Sequence, residues 1–179
     1  MLAATPIADA PPTRIRPFRG PQDTVETMIE LIVGDRGERS TLVRSVKDHI
    51  VRELQPKDYF SEILAVRNWC HEHCRYSNDA FGVEQVQDPQ RQCEQIIKFG
   101  KVVDDCDDVA TLMAALMRQL GREVEIVIVG FGPPGSFSHV FIRVKEPKSG
   151  RWIVCDTVAG TDEAAMLRRV TTYKIWKLP

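Results

Sequence analysis

The apolar residues of this chain change period at Gly121, and no other feature restricts its fold as tightly. Before that glycine, Val109, Leu112, Met113, Leu116, Met117 and Leu120 recur at the spacing of one helix face, and Gly121 is placed to end the helix. After it the residues alternate. REVEIVIV sets Val124, Ile126 and Ile128 on one side of a strand, and HVFIRVK and RWIVCDTV are further runs of strand length. The connectors FGPPGSFS and EPKSG are turn-rich and short enough to join antiparallel neighbours. Helices followed by an antiparallel β-meander predict an α+β fold, with the N-terminal helices packed on the meander.

The segments upstream repeat the helical pattern. Val25, Met28, Ile29 and Ile32 predict a first helix ended by Gly34 and Gly37. A second carries Leu42, Val43, Val46, Ile50 and Leu54 behind Ser40 as a cap and closes at Pro56. Asp58 is placed to cap a third, with Ile63, Leu64, Val66, Cys70 and Cys74. Asn78 to Asp88 reads as loop, and Pro89 opens a short helix through Cys93, Ile96 and Ile97. Residues 1–21 hold five of the eleven prolines together with Arg14, Arg16 and Arg19, so they are expected to form an extended arm docked on a neighbouring subunit or partner. The expected organisation is an arm over 1–21, a helical extension over 22–57, a core over 58–160 and a C-terminal extension over 161–179.

Composition removes several function classes. A net charge of -1 provides no footprint for nucleic acid or an anionic membrane. No window reaches the roughly 18 apolar residues of a membrane span, and the first residues carry neither a basic leader nor an apolar core, so a cytoplasmic protein is expected. Five cysteines, an odd number without regular spacing, argue against a disulfide framework.

The chemistry concentrates at the start of the strongest helix, where Cys106 stands between Asp104, Asp105, Asp107 and Asp108. Two effects oppose each other there, because a helix N-terminus favours a thiolate and carboxylates disfavour it. Asp105 occupies the N-cap position, and Cys106 lies three residues before Val109 and four before Ala110, on the inward stripe of the first turn. If the second hairpin closes with Lys145 opposite Gly150, His139 falls opposite Asp156 on the same face of the sheet, at about 4.5–5.5 Å between Cβ atoms. A cysteine, a histidine and an aspartate so placed meet the needs of a nucleophile, its base and a group that orients the base. An imidazolium about 3.5 Å from a thiolate contributes nearly 5 kcal/mol at an effective dielectric of 20, against about 2 for a carboxylate at ~8 Å, so the histidine outweighs about two of the aspartates.

These motifs also carry a resemblance. DDCDDVATLMAALMRQLG, then SHVFIRV, then WIVCDT resemble the core of the transglutaminase-like superfamily, relatives of the papain-fold cysteine enzymes. VRNWCHEHCRY resembles the helix that this family places before its cysteine motif. The resemblance implies a catalytic triad of Cys106, His139 and Asp156, with the nucleophile at the N-terminus of the central helix and a peptide or protein as substrate. No cofactor and no metal are expected. Short bacterial members often read Gly-Asp-Cys-Asp-Asp, and Asp104 stands where that glycine would be; a position needing glycine's backbone freedom would be impaired by it. For an oxyanion hole the Cys106 backbone N–H is the one group to name. Hydrolysis of a peptide or amide is the expected reaction, with cross-linking to an amine as its variant. The alternative is an assembly protein, associated with a phage virion or tail, that uses the fold with weak or no catalysis.

Two further patterns have plainer readings. CHEHC over 70–74 puts Cys70 and Cys74 on one helix face and His71 and His73 elsewhere, so core-facing cysteines with exposed histidines are expected rather than zinc. Asp104, Asp105 and Asp108 spell D-D-x-x-D, a Mg²⁺-diphosphate pattern of large helical bundles; in a short chain with a β-rich second half they are read as first-turn acids.

Overall fold

Four helix starts among the described residues are set by short polar side chains that accept first-turn N–H groups. The computed structural model describes residues 14–16, 20–77, 84–156 and 163–179. A short strand β1 (Arg14–Arg16) precedes α1 (Pro21–Val33), α2 (Thr41–Val51), α3 (Tyr59–His73), β2 (Cys74–Tyr76) and β3 (Glu84–Val86). Then follow α4 (Pro89–Phe99), β4 (Val102–Asp104), α5 (Cys106–Gln119), β5 (Val124–Gly130), β6 (His139–Lys145), β7 (Trp152–Cys155), α6 (Glu163–Arg168) and β8 (Thr172–Lys177). Ser40 caps α2 through the Val43 N–H at 3.3 Å, Asp58 caps α3 through Ser61 at 3.2 Å, and Asp88 caps α4 through Arg91 at 2.9 Å. The second helix stops at Val51, so Leu54 lies outside it.

The architecture is α+β, as the change of period predicts. Strands β5, β6 and β7 form the antiparallel meander, and β8 returns along the other side of β5 to give the order β7-β6-β5-β8. The return strand carried no expectation: TYKIWK leaves Tyr173 and Ile175 exposed, and only pairing with β5 makes it a strand. Part of the expected loop from Asn78 to Asp88 is also strand, because β3 pairs with β1. Residues 14–16 of the arm therefore rest on this chain's own β3, while 1–13, 17–19 and 78–83 lie outside the described residues. Parallel pairing of β2 with β4 sets Tyr76 beside Asp104.

The second hairpin closes two positions away from its expected register. Glu146 pairs with Arg151 and Lys145 with Trp152, so Asp156 falls one residue beyond the last pair and diagonal to His139 rather than opposite it. The turn itself is the cause. Gly150 takes a φ of 68° and is consumed by the bend, and the Glu146 carboxylate accepts the Lys148 and Ser149 N–H groups at 2.8 and 2.6 Å. A shift of two preserves the alternation, so both residues stay on one face.

Helix α5 runs through the centre, buried continuously from Asp107 to Met117 between the other helices and the sheet. Ile126, Ile128, Val140, Ile142 and Val144 meet it from the sheet, while Val127, Val129 and Phe141 pack with Met166 on the opposite face. At the end of β5 the connector folds back so closely that a Cβ on Gly130 would stand 1.7 Å from the Ser136 carbonyl oxygen and 2.8 Å from Thr172 Cγ2. Gly130→Ala is therefore expected to destabilise the protein by about 1–3 kcal/mol through overpacking. Leu116→Ala, in a side chain with no exposure, is expected to cost about 2–5 kcal/mol. Urea denaturation of both variants checks these values.

Candidate active site

Cys106 opens α5 behind Asp105, whose carboxylate accepts the Asp108 N–H at 3.4 Å. The first turn is buried, so its polar groups need partners. Gln92 on α4 donates through Nε2 to the Asp104 carboxylate at 2.8 Å and to the Asp108 carbonyl at 3.1 Å. Gln87 donates its backbone N–H to Asp108 Oδ1 at 2.6 Å and its Nε2 to Asp104 Oδ1 at 2.8 Å. Two glutamines thus tie β4 and the first turn of α5 to α4 and the segment before it.

This network answers the question raised by Asp104. The residue lies in β4 with ordinary extended geometry, since Lys57 is the one non-glycine described residue with a positive φ, and its buried side chain points into the glutamine network. Nothing at this position requires glycine. The D-D-x-x-D set does not converge either. Instead the carboxylates of Asp105, Asp107 and Asp108 come within 4.8 Å of one another, and the Asp105 and Asp108 members accept backbone N–H groups.

At the end of the sheet a cleft of about 270 Å³ opens beside the first turn of α5. Asp105, Cys106 and Asp107 form one wall and Phe137 to Val140 another, with Tyr76, Ile128 and the start of α1 completing it. Alternation along β6 turns Val140 toward α5 and His139 with Phe141 toward the other face; as the first residue of β6, His139 still reaches the cleft. His139 Nε2 lies 2.9 and 3.0 Å from the two Asp156 carboxylate oxygens, with both side chains about 10% exposed. A carboxylate only accepts, so Nε2 carries the proton and the neutral ring has its lone pair at Nδ1.

The Cys106 thiol is pushed up to about 12, first by burial, next by Asp107 and less by Asp105. Backbone N–H groups of Val140 and of Cys106 itself oppose this by hydrogen bonding to the sulfur. Among these five influences burial is the largest, so the resting group is a thiol. Burial also raises the Tyr76 phenol, with Cys106, Asp105 and Asp107 adding to the effect.

The structure thus gathers Cys106 and His139 at one cleft and joins His139 to Asp156. Several neighbours escaped the sequence reading. Gln87 and Gln92 give no sequence signal, since their role exists only once β3, α4 and α5 meet. Tyr76 had a signal, because it closes the RY that follows the family-like helix. The CHEHC histidines need correction: Cys70 is buried as expected, but His71 and His73 are half-buried rather than exposed. His73 Nδ1 lies 2.8 Å from the Gly100 carbonyl oxygen, while burial and the Arg67 guanidinium lower the His71 pKa and Asp156 acts in the opposite direction.

Helices packed on an antiparallel sheet, with a cysteine opening the central helix, define a papain-like thiol fold. The chain belongs to the transglutaminase-like superfamily, whose family model matches residues 44–157. It is similar to a solved protein from Cytophaga hutchinsonii described as a candidate cysteine protease, at 16% identity and a TM-score of 0.52 over 84% of this chain and 51% of that one. It is also similar to one from Parabacteroides distasonis described as a candidate protease, at 9% identity and a TM-score of 0.55 over 87% of this chain and 29% of that one. The chain therefore spans about half, and less than a third, of these two proteins. No curated protein matches it.

Replacing Asp107 by Asn tests the electrostatics of the cleft. Removing the carboxylate that most opposes the thiolate lowers the Cys106 pKa, so the alkylation rate of Cys106 at a fixed mildly alkaline pH should rise about tenfold or more. Rates are read by mass spectrometry of iodoacetamide-treated protein across pH 7–10.

Proposed function

We propose that the cleft carries out thiol-dependent acyl transfer, with hydrolysis of a peptide or side-chain amide as its reaction. The observation that carries this reading is the Asp156 carboxylate held on His139 Nε2, which leaves the Nδ1 lone pair available in the cleft that contains Cys106. As the Cys106 sulfur bonds to the substrate carbonyl carbon, its proton passes to His139 Nδ1, and Asp156 stabilises the imidazolium that forms. A thiol raised to about 12 makes this concerted proton removal a requirement, because little free thiolate is present at neutral pH. The imidazolium then gives its proton to the departing amine as the C–N bond breaks, leaving a thioester. Water, deprotonated by the same imidazole, releases the acid and returns the proton to sulfur.

The tetrahedral oxygen needs donors. The Cys106 backbone N–H lies at the start of α5, and the phenol of Tyr76 faces the same cleft, where its raised pKa keeps it protonated. The description of one structural neighbour as a candidate cysteine protease and of the other as a candidate protease favours hydrolysis over cross-linking.

An iodoacetamide-type probe applied at neutral pH should label Cys106 at least about tenfold faster than the four other cysteines. His139→Ala should abolish that preference, and Asp156→Asn should reduce amide or ester turnover by about 10²–10⁴-fold. Equal, slow labelling of all five cysteines would instead assign the fold to an assembly role without catalysis.

A further inference from the structure

Strand β8 ends the sheet, and among the described residues no strand pairs with its outer side. Which of its backbone groups face that side follows from β5. The Leu178 N–H donates to the Val124 carbonyl and the Thr171 N–H to the Gly130 carbonyl, so the even-numbered residues of β5 turn their backbone groups toward β8. The odd-numbered ones turn toward β6, as the bonds from Ser138 to Val129 and from Lys145 to Glu123 show. Even residues of β5 pair with even residues of β8, so Thr172, Lys174 and Trp176 bond to β5. Tyr173, Ile175 and Lys177 therefore direct their N–H and C=O groups off the edge, where a further strand would meet them.

The side chains along this edge are complementary to a second copy of themselves. Tyr173, Ile175 and Lys177 share the outer face with Val129, Val127 and Glu125, and Tyr173 and Ile175 are exposed there. Lys174 and Trp176 lie on the face turned toward α5, against which Trp176 is partly buried. If a second β8 runs antiparallel to the first about a twofold axis at Ile175, Tyr173 falls opposite Lys177, Lys174 opposite Trp176, and Ile175 opposite its own copy. Every lysine then meets an aromatic ring, no charge meets its like, and the three outward-directed backbone positions pair with one another as a bonded set. Sliding the copies by two residues in one direction sets Lys174 against Lys174, and in the other sets Ile175 against Lys177. Lysines commonly protect an edge strand from pairing, so the register that gives each of them a ring is the one a symmetric contact selects. Contacts within the chain do not bury them: Lys177 Nζ lies 4.0 Å from Glu125 Oε1, Lys174 Nζ lies 5.4 Å from the Phe137 ring centre, and both residues are exposed.

We propose that β8 is a self-association edge, through which two copies of this chain join their sheets antiparallel about a twofold axis at Ile175. The four strands of each copy then form one continuous sheet. An edge contact of six residues lies at the small end of interface sizes, so the dimer is expected to form reversibly with concentration.

Sedimentation equilibrium between about 10 µM and about 1 mM should show the mass rising from one chain toward two. In the wild type the amide protons of Tyr173, Ile175 and Lys177 should exchange about tenfold or more slowly at the upper concentration, while those of Lys174 and Trp176 change little. Ile175→Lys and Ile175→Glu, each placing like charges opposite one another, should both stay monomeric with an unchanged fold by circular dichroism, and mixing the two should restore the dimer. A single-chain mass throughout would overturn the proposal and leave the edge to a strand from another protein or to none. A dimer unaffected by Ile175→Lys would overturn it as well, by placing the contact elsewhere. The wild-type exchange decides the question even where a variant does not fold: rates at the three outward amides that ignore concentration would refute the pairing.

Discussion

The molecule depends on burying α5 along its whole length, first turn included. A helix apolar on all sides is stable only when enclosed, and here four helices and the sheet enclose it. Enclosure has a second consequence at the N-terminus, where Asp107 and Asp108 are as buried as the leucines. Buried carboxylates require donors, and Gln87 supplies its backbone N–H to Asp108 while Gln87 and Gln92 supply side-chain N–H groups to Asp104. The same contacts that let the helix be buried therefore also fix where Cys106 stands.

That solution shapes the chemistry of the cysteine. A thiol placed among carboxylates and out of water cannot rest as an anion, and the helix N-terminus together with two backbone N–H groups does not reverse this. Under the proposed acyl-transfer reading, the thiol would be activated at the moment of attack rather than in a standing ion pair. On that reading the orientation of the His139 ring matters more than its charge, and both oxygens of Asp156 supply it.

Much of this was legible in the sequence, and the failures have specific causes. Ser40, Asp58 and Asp105 announced three helix starts because capping is a local interaction, and Pro89 announced a fourth. The hairpin register was misplaced because Gly150 was assigned to a strand when its left-handed backbone belongs to the turn. His139 and Asp156 remained partners because the error was even and alternation forgives a shift of two. Strand β8 was invisible because its outer residues are exposed and its identity comes from β5. The aspartates looked solvated because nothing local reveals that two glutamines, 87 and 92, are folded against them.

By itself the sequence determined the α+β order, the helix that carries Cys106 and the types of residue that meet it, since periodicity and capping act within a few residues of the chain. Only the tertiary structure decided that Asp104 turns away from the cleft, that the thiol is raised rather than lowered, and that two glutamines fold against the start of α5. Each of these depends on desolvation or on hydrogen bonds between segments far apart in sequence, and such terms come into being only when the segments pack.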